Sequence, residues 1–134
     1  MVDARLQQEI LLRSEDRPGV LADITSVLGD MGINVLSVRL RCVENEAIVH
    51  LLTNCQSYAH EALRGAGFEI MERDVILLTL PHYPGFLRRT SEALARKDIT
   101  INDLHVSVPE EGKVGVVVLT CSNNAHAIQI LRGY

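Results

Sequence analysis

The feature that most constrains this chain is that it repeats itself. Displaced by 66 residues, Ile10-Leu11-Leu12 falls on Ile76-Leu77-Leu78, Pro18-Gly19 on Pro84-Gly85, Leu28 on Leu94, Ile33 on Ile99 and Val38 on Leu104. With one extra residue allowed in the second hairpin (Pro109 to Lys113), Leu52-Thr53 falls on Leu119-Thr120. Further on, Ala59-His60 falls on Ala125-His126 and Gly67-Phe68 on Gly133-Tyr134. Such self-similarity is the mark of an internal duplication, so whatever one half folds into, the other must fold into as well.

The first copy reads as a run of elements. Glu9 to Arg13 is a short apolar strand ending in the turn residues Ser14-Glu15-Asp16-Arg17-Pro18-Gly19. Pro18 suits the first turn of a helix and Asp16 is placed to cap it. Leu21, Ile24, Leu28 and Met31 form one apolar stripe, flanked by Val20 and Val27, and Gly32 stands where a left-handed stop belongs. Asn34 to Cys42 alternates, Glu44-Asn45 turns, and Glu46 to Thr53 returns as a strand apolar on both faces. A second helix is expected over about Ser57 to Arg64, with Ser57 as cap, and a fourth strand over Phe68 to Arg73. Strand-helix-strand-strand-helix-strand is the ferredoxin-like order.

The expected fold class is therefore α+β: two ferredoxin-like βαββαβ modules with antiparallel sheets and helices on one face. The modules span residues 8–73 and 74–134, and the second lacks a full fourth strand because the chain ends at Tyr134. Either the strand Phe68 to Leu80 is shared between the halves, or an exposed edge pairs across an oligomer. The second main helix is expected to be the less amphipathic, since Thr90 and Lys97 replace Ile24 and Met31. The return strands carry more apolar surface than a one-sided sheet needs, which implies a cover on the other face.

Composition excludes several functions. A net charge of −4 lacks the basic footprint of a nucleic-acid binder, and no Trp, two Phe and three Tyr give no stacking platform. No apolar run reaches the ~18 residues of a membrane span, and the first residues lack a signal-peptide layout, so a cytoplasmic address is expected. Cys42, Cys55 and Cys121 are too widely spaced for a zinc site. His82 and His105 could approach each other in the second copy, but no third metal ligand stands at a recognisable spacing. His50, His60 and His126 read as scattered. No nucleotide-binding loop, nucleophile elbow or metalloprotease motif is present, so no enzyme and no cofactor are expected.

Asp16-Arg17-Pro18-Gly19-Val20-Leu21 followed by Gly32-Ile33-Asn34-Val35 resembles the ACT domain family, whose pattern is x-D/N-x-P-G-x-L, a helix, then G-I-N-[IV]. The second copy keeps Pro84-Gly85-Phe86-Leu87 and reads Asp98-Ile99-Thr100-Ile101. The resemblance covers about residues 8 to 133 and is greatest to the free-standing tandem ACT proteins, which carry no catalytic domain. It implies a regulatory, non-catalytic protein that binds a small molecule, commonly a free amino acid, through ligand-stabilised ACT–ACT association. It also implies a homodimer or higher oligomer and a regulated metabolic enzyme as partner, with neither nucleic acid nor membrane. The alternative is a ligand-independent oligomerisation or interaction module.

The implied ligand-binding residues are Ser14, Asp16, Arg17, Gly19, Val20, Leu21, Asn34 and Val35. A second, weaker site is made of His82, Gly85, Phe86, Leu87 and Thr100. The chemistry suits the role, because N–H groups at a helix start favour a carboxylate and a glycine lets a ligand near the backbone. Each residue also has a plain structural reading. Asp16 can cap its own helix, Pro18-Gly19 can simply turn the chain, and Asn34 can satisfy backbone groups at the strand entrance. Other users of the fold fit less well. A metal chaperone needs a Cys pair in the first loop, and an RNA-recognition domain needs aromatics on its central strands. An acylphosphatase-like enzyme would have to rely on Arg17 and Asn34.

Overall fold

A computed structural model describes residues 3–81, 84–107 and 114–133. Its elements are β1 (Asp3–Glu15), α1 (Val20–Asp30), β2 (Val35–Val43), β3 (Glu46–Thr53), α2 (Gln56–Gly65) and β4 (Glu69–Pro81). They continue with α3 (Phe86–Arg96), β5 (Ile101–Ser107), β6 (Val114–Cys121) and α4 (Asn124–Arg132). The pairs β1–β3, β2–β3, β4–β6 and β5–β6 are antiparallel. The βαββαβ order is complete in the first copy and recurs in the second up to α4. Two compact units result: Gln8–Arg73, and Asp74 onward together with the residues before Gln8.

In the first unit the strands lie in the order β2-β3-β1. Ile10 and Leu12 of β1 and Val49 and Leu51 of β3 meet Val20, Ile24 and Leu28 of α1 and Ala59 and Leu63 of α2 in one core. The buried stripe of α1 is thus Val20-Ile24-Leu28, spaced i, i+4, i+8. Leu21 and Met31, expected on that stripe, stay 39% and 57% exposed; Leu21 lies off the i, i+4, i+8 line and Met31 is already the C-cap. Gly32 follows at φ +69°, with Ile33 N–H donating to Leu28 O, the hydrogen bond that closes a Schellman stop. α2 starts one residue earlier than expected, and its N-cap is Cys55, not Ser57. Glu44 and Asn45 turn the β2–β3 hairpin with both φ positive, the primed geometry that matches strand twist. β3 is buried on both faces.

The second unit repeats this core with Ile76, Leu78, Phe86, Leu94, Val117, Leu119, Ala127 and Leu131. Here the repeat differs from the sequence expectation. Six residues separate the pair Arg41↔Ile48, whereas eight separate Ser107↔Val116, so the second hairpin is longer by two residues and not one. Past the hairpin, Ala59 therefore corresponds to Ala127, not Ala125, and Leu63 to Leu131; all four are fully buried. The hairpin residues 108–113 lie outside the described residues.

α3 is also not the weaker of the two main helices. Thr90 is buried, but its hydroxyl donates to Phe86 O at 3.0 Å, so it joins Phe86, Ala93 and Leu94 on the buried face. Lys97 is the C-cap, past the last turn that must face the core. β4 runs unbroken from Glu69 to Pro81 and serves both units. Residues 3–7, where no strand was expected, pack with the second unit: Ala4 is fully buried in its core, and Arg132 Nε donates to Ala4 O at 2.8 Å.

Candidate functional site

Both Pro-Gly corners are built alike. Gly19 is the N-cap of α1 at φ +88°, and Gly85 is the N-cap of α3 at φ +91°; neither helix has a side-chain cap. The left-handed glycine explains the motif, since a residue with a Cβ is strained there. It also corrects the expected cap. Asp16 does not cap α1, and Pro18 precedes the N-cap instead of opening the first turn. Asp16 is tied elsewhere: its N–H donates to Asn45 O at 2.9 Å, and its Oδ1 accepts from Cys42 Sγ at 3.3 Å. That hydrogen bond, more than desolvation or the carboxylate's charge, pushes the Cys42 thiol up from its ordinary pKa.

At the start of α1, the N–H groups of Leu21 and Ala22 have no acceptor among the described residues; the first helical bond is Asp23 N–H to Gly19 O at 2.9 Å. Arg17 leans over this corner. Its Nη2 donates to Asp23 Oδ2 at 2.5 Å and its Nη1 to Pro18 O at 3.3 Å, and a Cβ on Gly19 would sit 3.8 Å from Nη1. Open amide donors beside a guanidinium form a seat for an anion. Val20 is a core residue and offers only its backbone, while Leu21 is partly exposed.

Asn34 and Val35 lie at the other end of α1. An 11-residue helix is about 16 Å long, so the Gly19 corner and Asn34 of one unit are too far apart for one free amino acid to touch both. The backbone of Asn34 is satisfied by Asn54: Asn34 N–H donates to Asn54 Oδ1 at 3.0 Å, and Asn54 N–H to Asn34 O at 3.1 Å. Its own side-chain amide, exposed, has no hydrogen-bond partner among the described residues. Val35 packs against the core edge. Beside Asn34 lies a cavity of about 260 Å³ lined by Met31, Gly32, Ile33, Cys55 and Tyr58. Ser14 opens onto a different hollow, about 760 Å³, with Arg13, Arg17, Asp23, Asp30 and Glu69 among its lining. Arg17 and Asp23 belong to this hollow as well as to the Gly19 corner, and carboxylates outnumber guanidinium groups in it. An anion is therefore favoured only at the helix start itself, where the open amide donors lie.

At the second corner, Phe86 is buried in the core and Leu87 is partly exposed. Among the described residues, nothing lies within 4 Å of where a Cβ on Gly85 would be. Thr100 is held as Asn34 is: its N–H donates to Ser122 Oγ at 3.1 Å, and Ser122 N–H donates to Thr100 O at 2.9 Å. His82 lies outside the described residues, and so does its pairing with His105. No group of three His, Cys, Asp or Glu side chains among the described residues could hold a metal ion. No described helix is long and apolar enough to cross a membrane.

Two features escaped the sequence. Asn54 and Ser122 lock the strand entrances, a role their loop context does not advertise. His50, read as scattered, is only 4% exposed: its Nδ1 meets Glu9 Oε1 at 3.0 Å, and its Nε2 lies 3.3 Å from Arg39 Nη2. Arg73 Nε donates to the same Glu9 oxygen at 2.7 Å. Burial alone would raise the pKa of Glu9, but the hydrogen bonds and charges of His50 and Arg73 outweigh it and hold the carboxyl below its ordinary value.

Residues 9–61 match the model of the ACT domain family. No curated protein matches the chain. Among solved structures, protein BT0572 from Bacteroides thetaiotaomicron is 22% identical with a TM-score of 0.88, over 97% of this chain and 89% of that one. The regulatory subunit of aspartate kinase from Thermus thermophilus, in its ligand-free form, is 18% identical with a TM-score of 0.66, over 98% and 96%. A structure of aspartokinase alpha and beta subunits is 18% identical with a TM-score of 0.64, over 97% and 95%. At these identities the likeness is one of fold.

Proposed function

Starting from an ACT domain at residues 9–61, within a chain folded as two ACT-type modules, we propose a non-catalytic regulatory protein that binds a free amino acid between two copies of itself. The observation that carries this is the uncapped start of α1. Leu21 and Ala22 offer amide donors beside Arg17, and no side chain of the helix consumes them. A ligand carboxylate takes that place, and the unspent amide of Asn34 from a second copy receives the ammonium group through its carbonyl oxygen. The length of α1 is what requires the second copy.

Such a ligand stabilises association only as far as it binds the associated state more tightly, so the mechanism is a population shift. The resemblance to a kinase's regulatory subunit supports a metabolic enzyme as the regulated partner. Thermal melts with a panel of free amino acids test the reading. Ligand at ~100 times its dissociation constant adds about 2.7 kcal/mol of stability, and Asn34→Ala should remove the shift. A panel with no active member overturns it.

A second reading has its own support. β2 ends the first unit's strand order, and Leu36, Val38, Leu40 and Val43 along it are 38–57% exposed. An apolar edge strand of this kind invites pairing without any ligand. Association that no amino acid strengthens or weakens would favour a ligand-independent assembly module.

A further inference from the structure

The two units provide an internal comparison at the ends of their main helices. By the observed register, Met31, Gly32, Ile33, Cys55 and Tyr58 of the first unit correspond to Lys97, Asp98, Ile99, Asn123 and His126 of the second. In the second unit, Asn123 caps α4, its side chain accepting from His126 N–H at 3.0 Å, and charged or polar groups occupy the surroundings. In the first unit, Cys55 is the N-cap of α2 without a side-chain hydrogen bond, and the same place is an apolar cavity of about 260 Å³. Met31 and Tyr58 are 57% and 66% exposed on its walls. Asn34, whose side-chain amide is unpartnered among the described residues, is the next residue in the chain after the wall residue Ile33.

From this contrast we infer that the cavity is a specificity pocket of the first unit, and that the ligand is an α-amino acid with an aliphatic side chain of leucine or methionine size. The inference rests on the amino-acid reading given above. A ligand whose ammonium group reaches Asn34 can set its side chain against Met31, Ile33 and the Tyr58 ring. The volume is ample, since ~150 Å³ lined by apolar groups already accommodates a benzene-sized guest. Serine would leave the pocket empty, and lysine or aspartate would bring a charge to an apolar wall. Lys97 and His126 make the second unit's counterpart unsuitable for an aliphatic guest.

Titration calorimetry of the full chain with L-leucine, L-methionine, L-serine, L-lysine and L-aspartate tests this. Each methylene seated in an apolar pocket is worth roughly tenfold or more, so leucine and methionine should bind at least tenfold more tightly than serine. The double variant Met31→Lys with Tyr58→His, which installs the second unit's residues at exposed positions, should weaken leucine at least tenfold. Tyr58→Ala alone removes one wall and serves if the double variant does not fold. Serine, lysine or aspartate binding as tightly as leucine, or leucine binding unchanged in these variants, overturns the pocket; the amino-acid reading survives if Asn34→Ala still abolishes binding. If no amino acid in the panel binds, both fail together.

Discussion

Asp98 has a left-handed backbone, φ +57°, at the position where α1 uses Gly32, and it closes the same stop, with Ile99 N–H donating to Leu94 O at 3.0 Å. A residue with a Cβ is disfavoured there, so Asp98→Gly should raise stability by about 0.5–1 kcal/mol. The reverse change, Gly32→Ala, should lower it by about 1 kcal/mol. A Cβ at Gly32 would meet nothing within 4 Å, which makes that cost one of backbone conformation alone. Urea midpoints of the two variants, moving in opposite directions, check the pair. Glu9 gives a pH-dependent counterpart. Arginine can only donate, so Arg39 beside His50 Nε2 leaves that nitrogen an acceptor and puts the ring proton on Nδ1, facing Glu9. Because the folded carboxyl titrates below its ordinary value, its stabilising contribution is fully present above the ordinary carboxylate pKa. It is lost as the pH falls through the folded value. Glu9→Gln should therefore be less stable than the parent at neutral pH, with the difference shrinking in acid. A gap that is constant with pH would show that Glu9 contributes only packing.

At the scale of elements, one amide clips the second helix of each unit, α2 and α4, to its sheet. Gln56 Oε1 accepts from Thr53 N–H at 2.7 Å and from Thr53 Oγ1 at 2.6 Å, and its Nε2 donates to Gln8 O at 2.5 Å. Asn124 repeats the device, accepting from Cys121 N–H at 2.8 Å and donating to Asp74 O at 3.3 Å. Removing either amide strands a strand-end N–H, so Gln56→Ala and Asn124→Ala should each cost ~1–3 kcal/mol in thermal or urea unfolding. Values near zero would mean that water replaces the clip. Gln56 fell outside the helix expected from Ser57, so this device was not visible beforehand, whereas the Pro-Gly corners were. Their geometry depends on a local property, the freedom of Gly19 and Gly85 at positive φ. The order of elements along the chain was legible because alternation and turn residues are local as well. What stayed hidden depends on distant partners. Asp16 looked like a cap until the hairpin residues Cys42 and Asn45 engaged it. Residues 3–7 carried no strand expectation, because Ala4 is the one residue among them that meets the second core. The spacing of the repeat slipped because hairpin length is set by pairing across strands, not by the residues of the turn.

At the scale of the whole molecule, the proposed ligand position separates two mechanisms that residue-level variants cannot. If carboxylate and ammonium are held by opposite ends of α1, on different copies, then occupancy and self-association are coupled, and the coupling is reciprocal. Every tenfold tightening of association by ligand must appear as a tenfold tightening of ligand binding by association, about 1.4 kcal/mol in each direction. A site contained within one copy would show neither effect. The sharper test mixes two inactive variants. Arg17→Glu reverses the charge beside the Gly19 corner, and Asn34→Ala removes the amide; both residues are exposed, so neither change should disturb the core. Each variant alone should bind no ligand. In a twofold-symmetric mixed dimer, one of the two sites combines the intact corner of the Asn34→Ala copy with the intact Asn34 of the Arg17→Glu copy. The other site carries both lesions. Random pairing then restores roughly a quarter of the parent's sites, readable as calorimetric stoichiometry in the mixture. Recovery at that level requires the site to be shared between chains. Mixing without recovery, in preparations shown by sedimentation to exchange subunits, would confine the ligand to a single copy and sink the bridging arrangement.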